Sequence, residues 1–181
     1  MCHYVTAVLP AAADVSRLRD IAESHRHALR PLQSPAMQRQ LKAGEQYFLT
    51  TAGHCDCGTP LGALKARPRR NDRVVEERKL RLKGWSESKI ARALDQHDAH
   101  EAKERESARP AVEVGLAEWQ SLVSAWLGSG ATPYVGLLLH FYDDPIDAGF
   151  LLQGREVNGR DGVDASTLGH IMEDVLYEFR A

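Results

Sequence analysis

The sequence predicts an α/β or α+β fold, in which a sheet of three to five strands carries packed helices and an inserted charged helical hairpin. Segments rich in β-branched and aromatic residues alternate along the chain with segments of helical periodicity. The length of 181 residues is enough for one domain with a substantial core. We therefore expect a single domain over residues 1–181, with the hairpin at 65–109.

The first part of the chain predicts a strand, a helix and a second strand. Residues 2–10 alternate and are rich in β-branched and aromatic side chains, which is typical of a strand. A helix follows from about Asp14, and Pro31 is expected to end it. Residues 45–52 form the second strand. Because a helical crossover makes the strands it connects parallel, we expect these two strands to run in the same direction.

The last part of the chain predicts helix, strand and helix. Residues 116–130 carry an apolar stripe at helical spacing. Residues 133–144 are apolar on both faces, which favours a central strand, and 150–157 reads as an edge strand. We expect a closing helix from about Ser166, with an apolar face made of Leu168, Ile171, Met172, Val175, Leu176 and Phe179.

Composition excludes some classes of protein. The net charge is −2, and the longest apolar run, around residues 134–142, is far shorter than the roughly 20 residues that span a membrane. The N-terminal segment has no basic stretch typical of a secretory signal. Three cysteines cannot all pair in disulfides, so reduced thiols are the simplest interpretation. We expect a soluble cytoplasmic protein without a membrane partner.

Positive charge is concentrated in the middle of the chain. Residues 65–109 contain 14 of the 23 Lys and Arg and nine acids, and residues 65–92 contain 11 basic residues against four acidic ones. The hairpin 65–94 is therefore a candidate interaction module for an acidic protein or a nucleic acid. Its candidate contact residues are Arg78, Arg81, Lys83, Lys89 and Arg92.

Residues 78–94 resemble a helix-turn-helix, since two helices flank a short turn that contains Gly84. The following stretch, 95–106, is acidic where a DNA-bound helix would run beside phosphates. A helical hairpin packed on the body, with its charges in solvent, accounts for the same pattern and is favoured.

The stretch "GHCDCGTPLG" (53–62) is the most informative motif, because it places Cys55 and Cys57 one residue apart beside His54. Two thiolates can bind one metal ion, but tetrahedral Zn²⁺ needs four ligands. The further candidates are Cys2 and His3 at the start of the first strand. If the first two strands are parallel, Cys2 lies about 25 Å from the turn, and His54 is then the better partner. The metal hypothesis is a zinc site.

Three other interpretations of this turn remain open. A disulfide between Cys55 and Cys57 would close a small, strained and easily reduced ring, which could act as a redox switch. Cys55 or Cys57 could be the nucleophile of a thiol enzyme, with His140 as base and Asp143 as the residue that orients it. Alternatively, the turn is purely structural, because Gly and Pro surround the cysteines and cysteine packs well as a small apolar residue. The sequence identifies no substrate for an enzyme.

Overall fold

The computed structural model describes residues 2–63, 72–143 and 145–181, so residues 65–71 of the predicted hairpin lie outside the described residues. It is a mixed α+β fold with one open sheet of six strands, one more than the upper limit predicted. In sheet order β2-β3-β1-β4-β6-β5, the strands are β2 (Arg30–Pro31), β3 (Gln46–Leu49), β1 (Cys2–Leu9), β4 (Tyr134–Tyr142), β6 (Val175–Arg180) and β5 (Gly154–Asn158). The helices are α1 (Val15–Ser24), α2 (Pro35–Gln38), α3 (Pro60–Ala63), α4 (Asp72–Leu82), α5 (Glu87–Gly128) and α6 (Ala165–Gly169), with a 3₁₀ turn at Arg160–Gly162.

The first two predicted strands are antiparallel, so the expectation that they are parallel was wrong. β1 pairs with β3 antiparallel, with Thr6 opposite Leu49 and Leu9 opposite Gln46. The helical crossover does reach a parallel strand, but that strand is β2, which has two residues at the sheet edge. α1 also ends at Ser24, well before Pro31. The chain then turns back and places β3 between β2 and β1.

The predicted closing helix is also wrong beyond its first turn. α6 ends at Gly169, and Val175–Arg180 forms β6 between β4 and β5. Five of the six β6 residues are buried, because strands flank β6 on both sides and both of its faces are covered. Its apolar residues fit a helical stripe, but their β-branched and aromatic character suits a buried strand.

One face of the sheet packs against α1 and α5. Trp119, Leu122 and Trp126 of α5 are buried against alternate residues of the strands, and the indole N–H of Trp126 donates to the Leu18 carbonyl at 2.8 Å. α5 runs without interruption for 42 residues, so the predicted boundary at residue 109 does not fall at a helix end. Among the described residues, no helix has an apolar stretch long enough to cross a membrane.

The other face of the sheet carries a smaller apolar cluster and a buried ionic network. Arg155 contacts Glu45 at 2.7 Å and Glu178 at 2.9 Å, and both carboxylates are almost fully buried. Tyr134 also contacts Glu45, and Lys42 and Arg180 also contact Glu178. This network fastens the edge strand β5 to the sheet.

Candidate metal centre

The loop after β3 follows β1 back toward the first residues of the chain. The Thr50 amide donates to the Val5 carbonyl at 3.2 Å, and the Asp56 amide donates to the His3 carbonyl at 2.8 Å. The His3 amide in turn donates to Cys57 Sγ at 3.2 Å. Because β1 and β3 are antiparallel, the start of β1 and the end of β3 lie at the same edge, and the two halves of the candidate site meet there.

The sulfur atoms of Cys2, Cys55 and Cys57 all lie within 4.8 Å of one another, close enough to hold a metal ion. Cys2 and Cys55 are half-buried and Cys57 is exposed. The predicted separation of about 25 Å between Cys2 and the turn is therefore wrong, and its cause is the wrong strand direction. Within the described part of the chain, this group consists of sulfur atoms alone.

The two histidines predicted beside the cysteines have different surroundings. His3 Nε2 lies 2.7 Å from Glu173 Oε1, and its ring packs against Phe141. His3 thus contributes its backbone amide to the cluster, while its ring is engaged by a carboxylate. His54 lies in the cysteine loop and is exposed, and its role as a ligand stays a prediction.

Asp56, between the two cysteines of the loop, fixes the loop on β1. Its buried carboxylate accepts a hydrogen bond from the Val5 amide at 2.7 Å and another from the Thr51 hydroxyl. Its carbonyl accepts from the amide and the hydroxyl of Thr59. Burial raises the pKa of Asp56, and the hydrogen bonds from Thr51 and Val5 counteract that rise. Sequence reasoning missed this residue, although an acid between two cysteines, near two threonines, was the available signal.

Two glycines allow the elements beneath the loop to pack closely. A Cβ atom on Gly62 of α3 would lie 2.0 Å from the Asp56 carbonyl oxygen. A Cβ atom on Gly115 of α5 would lie 2.1 Å from Cγ of Pro60, the first residue of α3. The cysteine loop therefore rests on α3, and α3 rests on α5.

The three thiols interact with one another. The pKa of Cys55 is lowered, because the Cys57 amide and then the thiols of Cys2 and Cys57 form hydrogen bonds with its sulfur. The pKa of Cys2 is raised, chiefly by its hydrogen bond with Cys55. The surroundings thus stabilise the thiolate of Cys55. Because the thiolate is the form of cysteine that binds metal, Cys55 is the thiol best prepared to bind an ion.

His140, the predicted base, is paired with a different acid from the one expected. Its Nδ1 lies 2.5 Å from Asp174 Oδ1 and its ring stacks on Phe150 with centroids 3.5 Å apart. Asp174 has a left-handed backbone with φ of 64°, and its amide donates to the Leu139 carbonyl. The acid that contacts His140 is thus Asp174, which was assigned to a helix in the sequence, and the orienting role of Asp143 stays a prediction. The assignment of catalytic roles to Cys55, Cys57 and His140 stays a prediction.

The predicted partner-binding residues lie on α4, in the turn that follows it and on the first turns of α5. These helices share a small apolar cluster of Leu80, Ile90 and Leu94 that is separate from the main core. Arg81 pairs with Glu77 and Glu87, and Lys89 lies over the Trp85 ring at 3.9 Å. In the described part of the chain, no ion pair involves the other candidates, Arg78, Lys83 and Arg92, all of them exposed.

Comparisons of the chain with protein-family models, with curated proteins and with solved structures found no match.

Proposed function

We propose that the protein binds a thiophilic metal ion, Zn²⁺ in the first instance, through Cys2, Cys55 and Cys57. The observation that carries this proposal is the mutual distance of the three sulfur atoms, at most 4.8 Å. In a tetrahedral zinc site with Zn–S bonds of about 2.3 Å, the sulfurs lie about 3.8 Å apart. A contraction of roughly 1 Å, within reach of small side-chain rotations, would close the site around the ion.

Three sulfur ligands leave one position of a zinc ion for a fourth ligand. His54 is the candidate that the chain offers, because it precedes Cys55 directly. A solvent molecule is the other candidate, and an open position of this kind is typical of zinc sites that bind or activate a further ligand. Thiolates also bind Cu⁺ tightly, so a competition experiment between Zn²⁺ and Cu⁺ shows which ion the protein prefers.

Metal analysis of protein purified without a histidine tag tests the proposal. We expect one equivalent of zinc per chain, and at least tenfold weaker binding in each of Cys2→Ser, Cys55→Ser and Cys57→Ser, measured by competition with a chromophoric chelator. His54→Ala, compared with His25→Ala as the matched control, shows whether the fourth ligand is His54. Stoichiometric binding of Cu⁺ but not Zn²⁺ would reassign the metal, and binding of neither would overturn the proposal.

A second candidate function is binding of a partner by the basic surface of α4 and the turn that follows it. Exposed aliphatic side chains between the cations of this surface support it. Val75 and Leu82 of α4 are 45% and 81% exposed, near Arg78 and Lys83, which form no ion pair with the described residues. Aliphatic groups among cations fit an acidic protein helix with apolar side chains better than they fit a nucleic acid. The test is binding of a synthetic helical peptide with Leu and Glu on one face.

We expect that binding of this peptide weakens with salt and is lost in the double variant Arg78→Glu, Lys83→Glu. The matched control reverses two exposed charges elsewhere, Arg17→Glu and Arg39→Glu. Equal binding by both double variants would refute the assignment, and tighter binding of duplex DNA than of the peptide would assign the surface to nucleic acid.

A further inference from the structure

We infer that the three-cysteine cluster is also a site of reversible oxidation, in which a hydroperoxide converts Cys2 and Cys55 to a disulfide that prevents metal binding. The formation of the disulfide depends only on the positions of the thiols. The loss of the metal rests on the proposed function, because the same sulfurs are its ligands.

The contacts of the sulfurs favour one pairing over the other two. The sulfur atoms of Cys2 and Cys55 lie within 4.8 Å of each other, near enough for a bond after small rotations of the two side chains. Cys57 Sγ accepts a hydrogen bond from the His3 amide, which holds it beside β1. A bond between Cys55 and Cys57 would close a small strained ring, because one residue separates them.

The backbone is already arranged for the bond between Cys2 and Cys55. The hydrogen bond between the Asp56 amide and the His3 carbonyl, 2.8 Å long, joins the residues that adjoin the two cysteines. Closing the disulfide therefore needs rotation of two side chains and no new contact between distant parts of the chain. Both cysteines are half-buried and so remain accessible to a small oxidant.

The chemistry balances with a hydroperoxide as the two-electron oxidant. One thiolate of the pair attacks the peroxide oxygen, which gives a sulfenic acid and releases hydroxide or, from an organic peroxide, alkoxide. The second thiol attacks the sulfenic sulfur, forms the S–S bond and expels hydroxide, which leaves as water with the thiol proton. In sum, two thiols and one hydrogen peroxide give one disulfide and two waters, and a dithiol reductant reverses the reaction.

The experiment begins with metal-free protein, so that its result does not depend on metal binding. After one equivalent of hydrogen peroxide, alkylation and peptide mapping by mass spectrometry should find one free thiol, at Cys57, and a Cys2–Cys55 linkage. Cys57→Ser should form the same linkage, whereas Cys2→Ser and Cys55→Ser should lose it. Three alkylated cysteines, an intermolecular disulfide, or a linkage that persists in Cys2→Ser would each overturn the inference.

A second measurement tests the link to the metal. Oxidised protein should bind zinc at least 100-fold more weakly than reduced protein, and zinc-loaded protein should form the disulfide at least tenfold more slowly than metal-free protein. Equal zinc affinity of the two forms would refute the exclusion of the metal. If the reduced protein binds no metal but forms the linkage, the proposed function fails while the oxidation site stands.

Discussion

Replacing Asp56 by alanine should loosen the cysteine loop without removing any sulfur ligand. The substitution takes away the acceptor for the buried Val5 amide, 2.7 Å from the carboxylate, and for the buried Thr51 hydroxyl. A hydrogen bond to a charged acceptor contributes about 1.5–3 kcal/mol, so losing two costs about 3–6 kcal/mol. Relief of the burial cost that raises the Asp56 pKa offsets part of this loss. We expect a net destabilisation of about 2 kcal/mol.

The same change should weaken zinc binding, because the metal must then order a loop that Asp56 no longer holds. If the whole 2 kcal/mol falls on the loop, the affinity decreases about 30-fold, as 1.4 kcal/mol corresponds to a factor of ten. Chemical denaturation of the metal-free variant measures the first effect, and competition with a chelator measures the second. Asp56→Asn keeps an acceptor for the Val5 amide and should lose less than half as much in each assay.

The exposed acid Asp20 provides the control for this prediction, because Asp20→Ala removes a carboxylate of the same size from the surface of α1. Neither stability nor zinc affinity should change by more than about 0.5 kcal/mol in that variant. If Asp56→Ala behaves like Asp20→Ala in both assays, the loop is positioned by other contacts and the reasoning is refuted. A loss of stability with unchanged zinc affinity would refute the coupling between Asp56 and the metal.

Other perturbations have equally specific outcomes. Gly62→Ala should destabilise the protein by about 2 kcal/mol in chemical denaturation, since its Cβ would lie 2.0 Å from the Asp56 carbonyl, whereas Gly58→Ala meets no atom within 4 Å and should be neutral. Arg155→Ala should cost about 3 kcal/mol, because it removes a cation from two buried carboxylates. Burial raises the pKa of Glu45 and of Glu178, but their cationic and hydrogen-bonding partners outweigh it and lower both below 4.5. The contribution of these two carboxylates to stability is therefore present above about pH 4.5 and is lost as the pH falls through their lowered folded-state pKa values, and a pH series of denaturation curves with no such loss would contradict the network. Zinc at a concentration that just saturates wild type should raise the melting temperature of wild type clearly more than that of Cys57→Ser, measured by calorimetry.

The sequence predicted the mixed fold and the cysteine motif because both depend on local patterns. Apolar periodicity located β4 and the α5 stripe around Trp119, and the C-x-C spacing located the thiols. Apolar periodicity did not predict the last strand, because the spacing of Val175, Leu176 and Phe179 fits a helical stripe and a buried strand equally well. Only its place between β4 and β5 decides between the two. That information is absent from any window of the sequence.

The sequence could not predict that Cys2 lies near Cys55 and Cys57, because this depends on β2, a strand too short to recognise in the sequence. A two-residue strand has no periodicity, so the crossover from β1 through α1 seemed to lead directly to β3. With β2 at the edge, the crossover rule holds for β1 and β2, and the return from β2 reverses β3. That reversal brings Cys55 and Cys57 to Cys2 instead of to the far end of the sheet. A metal site formed by cysteines that are distant in sequence can be predicted only when the directions of the strands are known. Reversing a strand moves the residues that follow it to the opposite edge of the sheet.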